Sequence, residues 1–449
     1  MLSYPPAARV IGLLADAKAI DEGGLTKFDI GKHLGFQGEQ GFTTISRDFF
    51  VKEYILTESA EMRQKMHHNW EGTADKYARM ICSWLMKLKY PWARKERREF
   101  GKSEDGRFAC RLDAFTLTAT GFEERKKTTG ASSVRRSPKR VPFQMLCTKG
   151  ASRALLRARR ARILDTIRRR PASVEQIKEA LAAHHVEASE AAIAGDLRGL
   201  ENIGLAIEES QGEFRCRDKI IGLTVEQPPT SDEPSDAIQT MKEQCAGAMH
   251  VIPDNFMVLI DMGFDKRRSR LFEIKVAELL IEHCGFHGRW LGGKNRPDVI
   301  VYDDATGAVI DTKSYRRGFS LSANERDKML RYLTDAKRQI RSAAWWRSFP
   351  PEVTQFIFLF VSGKFTGNFR AQLRALGELA ETGGAAITAL MLLLFAEKIA
   401  GGEMSRPEFL RRASKLKEMR LPLPERPQTA PEHRTVIDDA VESGSAPSD

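Results

Sequence analysis

Apolar positions lay out the elements of the chain before any residue is considered for chemistry. Residues 10–14 (Val10 to Leu14) open an apolar helix. Residues 25–35 read as a short helix capped by Thr26 and stopped by Gly35, because a hydroxyl ahead of the first turn accepts an orphan N–H and glycine tolerates a left-handed exit. A polar loop is expected next. Over residues 73–89, Tyr77, Met80, Ile81, Trp84, Leu85 and Leu88 recur on one helical face. Residues 108–117 alternate with period two, as a half-buried strand does. Helix, short helix, longer helix and hairpin is the order of a winged helix-turn-helix module, expected over 1–130.

The order returns over 131–225 in a different sequence. Helices are expected over 161–169, 173–182 (with Ser173 as N-cap) and 189–202, and a wing over 205–217 that turns at Gln211-Gly212. The third of these helices is poor in bases, with Arg198 beside Glu190, Asp196 and Glu201. The second module therefore reads as a docking scaffold more than a reader of bases. Residues 226–250 are rich in Pro, Ser and acids and read as a linker. Residues 251–420 alternate helical and strand patterns, so an α/β domain is expected there. The longest apolar run, 385–396, reads as a buried helix and falls short of the roughly 18 residues that mark a membrane span. The Pro-, Ser- and Asp-rich stretch 421–449 reads as a disordered tail.

Charge changes this picture in one place. Residues 91–170 hold 23 Lys/Arg against 8 Asp/Glu, whereas the rest of the chain has 48 against 52. One segment thus supplies the whole net charge of +11. Such a block favours a polyanion through phosphate contacts and counterion release. The six cysteines stand singly, with no Cys-x-x-Cys pair, so zinc ribbons and disulfide frameworks are not expected and a reducing compartment fits. Nothing in the first 15 residues has the basic flank and cleavage pattern of a signal peptide.

The candidate chemistry lies in one hairpin. Pro297-Asp298 precedes the apolar strand Val299-Ile300-Val301-Tyr302, and a turn over 303–307 leads to Val309-Ile310-Asp311-Thr312-Lys313. Facing residues of an antiparallel pair have a constant index sum. A register centred between Asp304 and Ala305 sets Asp298 opposite Asp311, with Lys313 two residues on and on the same face. A slip of one residue remains open. Two close carboxylates call for a cation between them, and hard oxygen ligands suit Mg2+. The lysine can orient a water or offset charge on a phosphate. The arrangement is that of PD-(D/E)xK nucleases, against the alternative of a solvated hairpin with a salt bridge.

The surrounding sequence resembles the FokI family of type IIS restriction endonucleases over roughly residues 3–420. The resemblance runs through Gly285-Phe286-His287-Gly288-Arg289-Trp290-Leu291-Gly292-Gly293, Val309 to Tyr315, Phe358 to Phe365 and Gly367 to Leu373. In the front half it is carried by Ser3-Tyr4-Pro5-Pro6-Ala7, Leu25 to Asp29, Asn69-Trp70-Glu71-Gly72, Asp75 to Met80 and Pro138 to Val141. It implies Mg2+-dependent cleavage of double-stranded DNA at a fixed distance outside a recognised sequence. The implied catalytic residues are Asp298, Asp311 and Lys313, with the metal at Asp298, Asp311 and Thr312. Asn69, Trp70, Glu71, Lys76 and Arg79 are the implied DNA contacts. Lys76 and Arg79 are then guanine readers and Glu71 a cytosine acceptor; without the resemblance they are surface residues near Asp75. It further implies a transient homodimer on DNA, paired through Asp327 and Arg331 of a helix over 323–338, whose alternative is an intrahelical ion pair. A cognate methyltransferase encoded nearby and a bacterial cytoplasm follow from the same likeness. The family has a recognition subdomain ahead of the point where this chain begins, so a missing first subdomain is expected.

Two features weigh less. His283 and His287 are four apart but flank the Gly285 turn, which disfavours zinc, and Trp345-Trp346 and the strand 356–361 read as core. The competing functions are a winged-helix DNA-binding regulator that does not cleave, and a nuclease of a transposition or repair system.

Overall fold

A computed structural model describes residues 1–19, 23–39, 45–57, 59–73, 76–130, 135–147, 153–227, 236–293, 295–340 and 343–422 of the chain. At the front, helices Pro5–Ala19, Lys27–Lys32 and Lys76–Met86 pack against an antiparallel pair, Ala93–Lys102 with Ala109–Leu117. The cap at Thr26 forms as expected. Its hydroxyl takes the Asp29 N–H, and the Asp29 carboxylate accepts the Thr26 N–H at 2.9 Å, so two orphan donors are satisfied reciprocally. The helix 76–86 buries Ala78, Ile81, Cys82 and Leu85, the i, i+3, i+4, i+7 stripe. Trp84 was expected in that stripe, but it is 40% exposed and leans edge-on against Tyr4.

The expected polar loop is instead two helices, Arg47–Leu56 and Ala60–Thr73. Ser46 caps the first. Its Phe49, Phe50 and Val51 join one apolar cluster with Ile260, Phe272 and Leu280 of the C-terminal half. The helix is held by partners remote in sequence, which a local pattern does not show.

In the second unit, helices Arg153–Arg169, Val174–Ala182 and Glu190–Asn202 precede the hairpin Ile207–Ser210 with Glu213–Cys216. Gln211 and Gly212 turn that hairpin with φ of 53° and 77°, a left-handed pair that matches the strand twist. Arg159 and Arg160, part of the basic block, are buried here. They grip Asp196 at 2.6 and 2.7 Å, and continue to Glu243 and to Glu39 of the front unit. That portion of the positive charge is internal and cannot meet a polyanion. Arg94, Lys95, Arg97 and Arg98, by contrast, are exposed. The stretch read as a linker needs correction, since residues 236–246 form a helix (Asp236–Ala246) that supplies Glu243 to the network and Cys245 to the core.

The C-terminal half is built on a mixed six-stranded sheet. In chain order its strands are β1 (His287–Trp290), β2 (Val299–Asp303), β3 (Thr306–Lys313), β4 (Gln355–Ser362), β5 (Gly384–Thr388) and β6 (Lys417–Glu418). They lie side by side in that order; β1, β2 and β3 are antiparallel and β3 to β6 parallel. Alternate residues feed two cores. Val299, Val301, Ile310 and Leu359 face one, and Ile300, Val309, Phe358 and Phe360 the other. The second core is covered by helices Ala323–Lys337 and Phe369–Leu379. The apolar run 385–396 divides at Thr388, which ends β5 and caps helix Ala389–Ala400, so only its later part is the expected helix. Trp345 is buried, as its reading as core required.

The helix Arg47–Leu56 also forms the polar seam between front and rear. Ser46 N donates to Glu278 Oε1 at 2.8 Å, Lys52 pairs with Glu282 at 3.2 Å, and Arg289 donates to the Leu56 carbonyl at 2.9 Å. In this seam Glu53 is fully buried, with the Trp290 backbone and the Arg289 guanidinium as its nearest counterweights. Burial pushes its carboxyl up to about 7, against the pull of Arg289. The folded state then keeps a proton that the unfolded chain releases above its ordinary value of 4.5. The contribution of Glu53 to stability is therefore fully present below that value and is lost, by about 1.4 kcal/mol per pH unit, as pH rises through the window up to about 7. Glu53→Gln should flatten this dependence and stabilise the protein at neutral pH by roughly 3 kcal/mol. Urea unfolding at several pH values measures it, and a slope that persists in the variant would exclude Glu53 as its source.

Candidate active site

The hairpin of β2 and β3 fixes the geometry. Val299 pairs with Ile310 and Asp303 with Thr306, leaving Asp304 and Ala305 as the turn, with Asp304 at φ 47°. The ladder continues one step through Asp298 N to the Ile310 carbonyl at 3.2 Å. The register is the one the index sum predicts, and Asp298 comes level with Asp311. Period-two alternation puts Asp311 and Lys313 on the face that helix Ala323–Lys337 covers.

Each side chain is held from more than one side. Thr312 donates its N–H and its hydroxyl to Asp298 Oδ2, at 2.8 and 3.0 Å. The Thr312 hydroxyl thus orients Asp298. Asp311 is 1% exposed, and both its oxygens carry an ammonium: Lys313 Nζ lies 2.6 Å from Oδ2 and Lys328 Nζ 3.2 Å from Oδ1. Lys313 also reaches Glu325 at 2.7 Å. Burial raises the Asp298 carboxyl well above the ordinary range, and the charges of Asp311 and Glu273 add to this. Burial opposes the charge on Lys313, but Asp311 and Glu325 outweigh it and hold the ammonium above its usual value.

Glu273, Glu325 and Lys328 had no signal in the sequence. Each sits on a helix, away from any motif, and only packing brings it to the hairpin. Glu273, on helix Ser269–Glu278, accepts from Arg270 at 2.8 Å and from the Trp290 indole at 3.3 Å.

The residues fit a divalent cation. Asp298 and Asp311 are hard oxygen donors on facing strands, and a cation between them would offset both the burial of the Asp298 charge and its repulsion by Asp311. Among the described residues no group of three or more His, Cys, Asp or Glu side chains is arranged around a metal position. A two-carboxylate site leaves other positions to water, as Mg2+ commonly does. The histidines serve elsewhere: His283 packs edge-on against Phe256 and His287 stacks on Tyr302.

Beside the hairpin a cleft of about 850 Å³ lies between Leu56 and Met62 of the front half and Arg289, Arg296, Arg331 and Arg347 of the rear. Asp327 and Arg331 are both exposed on helix Ala323–Lys337. Asp327 pairs with Arg326 at 3.6 Å and Arg331 lies over the Tyr332 ring, so the intrahelical Asp327–Arg331 pair is not formed. In the front half, Arg79 points to solvent from helix Lys76–Met86. The side chains of Asn69, Trp70, Glu71 and Lys76 lie outside the described residues.

Comparison with known proteins covers nearly the whole chain. Family models match in three consecutive pieces: the FokI recognition domain, subdomain 2, over residues 1–92; the FokI D3 domain over 146–212; and the FokI cleavage domain over 235–420. The type II restriction enzyme FokI of Planomicrobium okeanokoites is 32% identical over 424 residues, covering 91% of this chain and 72% of the relative. The type II restriction enzyme StsI of Streptococcus sanguinis is 29% identical over 428 residues, covering 91% and 69%. Solved structures of restriction endonuclease FokI, one of them bound to DNA, each superpose with a TM-score of 0.82 at 31% identity. They cover 94% of this chain, and 74% and 73% of their own. With its three matched pieces in order and this identity along its length, the chain belongs to the FokI family of type II restriction enzymes.

Proposed function

We propose that this chain is a type IIS restriction endonuclease that hydrolyses double-stranded DNA at a fixed distance outside a recognised sequence. The observation that supports it most is the hairpin register, which sets Asp298 level with Asp311 and brings Lys313 onto Asp311. In this reading residues 1–130 are a winged-helix recognition module, 131–225 a second winged-helix module that docks and supports, and 251–420 a PD-(D/E)xK nuclease domain. The exposed bases of strand Ala93–Lys102 are suited to DNA phosphates, and Arg79 with Asn69, Trp70, Glu71 and Lys76 to base contacts.

Asp298 and Asp311 would hold Mg2+, and Thr312 fixes the orientation of Asp298. The ion, once bound, would supply a water of lowered pKa and a counter-charge for the phosphate. Lys313 lies between Asp311 and Glu325, whose charges favour its ammonium form, so it is placed as a hydrogen-bond donor and positive charge. From that position it can orient the attacking water or offset charge on the phosphate.

Asp311→Asn and Lys313→Ala should each lower the cleavage rate by at least about a hundredfold while DNA affinity stays within a few-fold. Gel assays of plasmid cutting and of binding measure the two separately. Near wild-type cutting by either variant rules out this active site. Arg79→Ala should cost about 1–3 kcal/mol on the preferred sequence and less on random DNA, as competition binding reads it. An equal loss on both sequences would assign Arg79 to phosphate alone.

One site of this kind cuts one strand, so a transient homodimer through Asp327 and Arg331 is the simplest route to a double-strand break. In a two-fold interface each acid meets the partner's base. Asp327→Arg alone and Arg331→Asp alone should lose double-strand cleavage, and a mixture of the two should regain it. Unimpaired cutting by each variant alone, first order in enzyme, points to a monomer that nicks twice.

A further inference from the structure

Asp311 carries two ammonium groups, and they are not equivalent. Lys313 is 8% exposed, belongs to the same strand, and is shared with Glu325 at 2.7 Å. Lys328 is 33% exposed, reaches Asp311 from helix Ala323–Lys337, and has Asp311 as its only carboxylate partner among the described residues. Its contact is also the longer, 3.2 Å against 2.6 Å. A divalent ion shared by Asp298 and Asp311 needs an oxygen of Asp311, and each of those oxygens already faces a lysine. A divalent charge on either oxygen repels the ammonium beside it, and Lys328 is the one less firmly held.

Charge balance points the same way. The carboxylates of this cluster are Asp298, Asp311, Glu273 and Glu325, and its cations are Lys313, Lys328 and Arg270. With a divalent ion added and Lys328 kept, the cluster is positive by one. With Lys328 gone it is neutral. The side chain also has somewhere to go. Its ammonium is 5.5 Å from the centre of the Tyr332 ring, one helical turn on, so it keeps a partner after leaving the carboxylate.

We infer that Lys328 is a place-holder cation, which occupies Asp311 Oδ1 in the metal-free protein and yields that oxygen when the divalent ion binds. It is a positioning residue. It keeps two facing carboxylates compatible while no metal is present, and it sets the affinity of the ion by competing for one of its ligands. The inference rests on the proposed metal site at Asp298 and Asp311.

The test is Mn2+ binding to the full chain without DNA, counted from the electron paramagnetic resonance signal of the free ion. Lys328→Met keeps length and removes charge, and should tighten the ion by on the order of tenfold. Lys328→Arg should return the wild-type value. Arg331→Met removes a positive charge from the same helix without touching Asp311, and should change affinity less than about twofold. Unchanged affinity in Lys328→Met overturns the inference. So does equal tightening in Arg331→Met, which would indicate a long-range field and not competition for the ligand. Asp311→Asn separates the two claims. Wild-type binding that Asp311→Asn does not weaken removes the metal site itself, and the place-holder with it. Binding that Asp311→Asn does weaken, with no response to Lys328→Met, removes only the place-holder.

Discussion

Two carboxylates on adjacent strands repel, and the surroundings of Asp298 and Asp311 are organised around that repulsion. The strand register leaves them no separation, because a two-residue turn fixes every pair along the hairpin. Asp298 is steadied by two donors from Thr312, and Asp311 by an ammonium on each oxygen. Burial, and after it the charges of Asp311 and Glu273, raise the proton affinity of Asp298. A buried pair of this kind is costly for stability, and the sheet supports it because alternate residues on the same strands feed two well-filled cores.

Buried charge is also what joins the modules. Arg159 and Arg160 come from one helix and Asp196 from another, while Glu39 belongs to the front unit and Glu243 to the helix that leads into the rear half. A network with every member paired is specific in geometry, because losing one partner leaves a desolvated charge behind. Glu53 shows the opposite case, a buried carboxyl with no close ion pair among the described residues, whose proton affinity burial raises against the pull of Arg289 and a backbone hydrogen bond from Trp290. The two together make the relative placement of front and rear depend on electrostatics as well as on the apolar cluster that both share.

The basic segment therefore has two roles that its composition does not separate. Along strand Ala93–Lys102 the bases Arg94, Lys95, Arg97 and Arg98 are exposed to solvent, where phosphate can approach them. In helix Arg153–Arg169 the same residue type is internal. Four more arginines line the cleft beside the hairpin, and these lie outside the basic block altogether.

The sequence by itself determined whatever rests on local rules. Caps at Thr26 and Ser173 and the turn at Gln211-Gly212 follow from side-chain chemistry and period alone, and each is present; the register that pairs Asp298 with Asp311 was one of two that the spacing left open, and the helix Ala323–Lys337 was implied by the family likeness. Long stretches of shared residues also made the family legible, and the matches along the chain bear it out. Only the tertiary structure decided what depends on partners far along the chain. Helix Arg47–Leu56 looked like loop because its apolar face is completed by the rear half. Trp84 lies outside the buried stripe, which Ala78, Ile81, Cys82 and Leu85 fill, and leans on Tyr4 instead. Glu273, Glu325 and Lys328 joined the hairpin because helices carry them there, and no periodicity within a helix records which charge it will meet across a sheet. Spacing can place residues on one face, but which oxygen each ammonium takes is settled by packing in three dimensions.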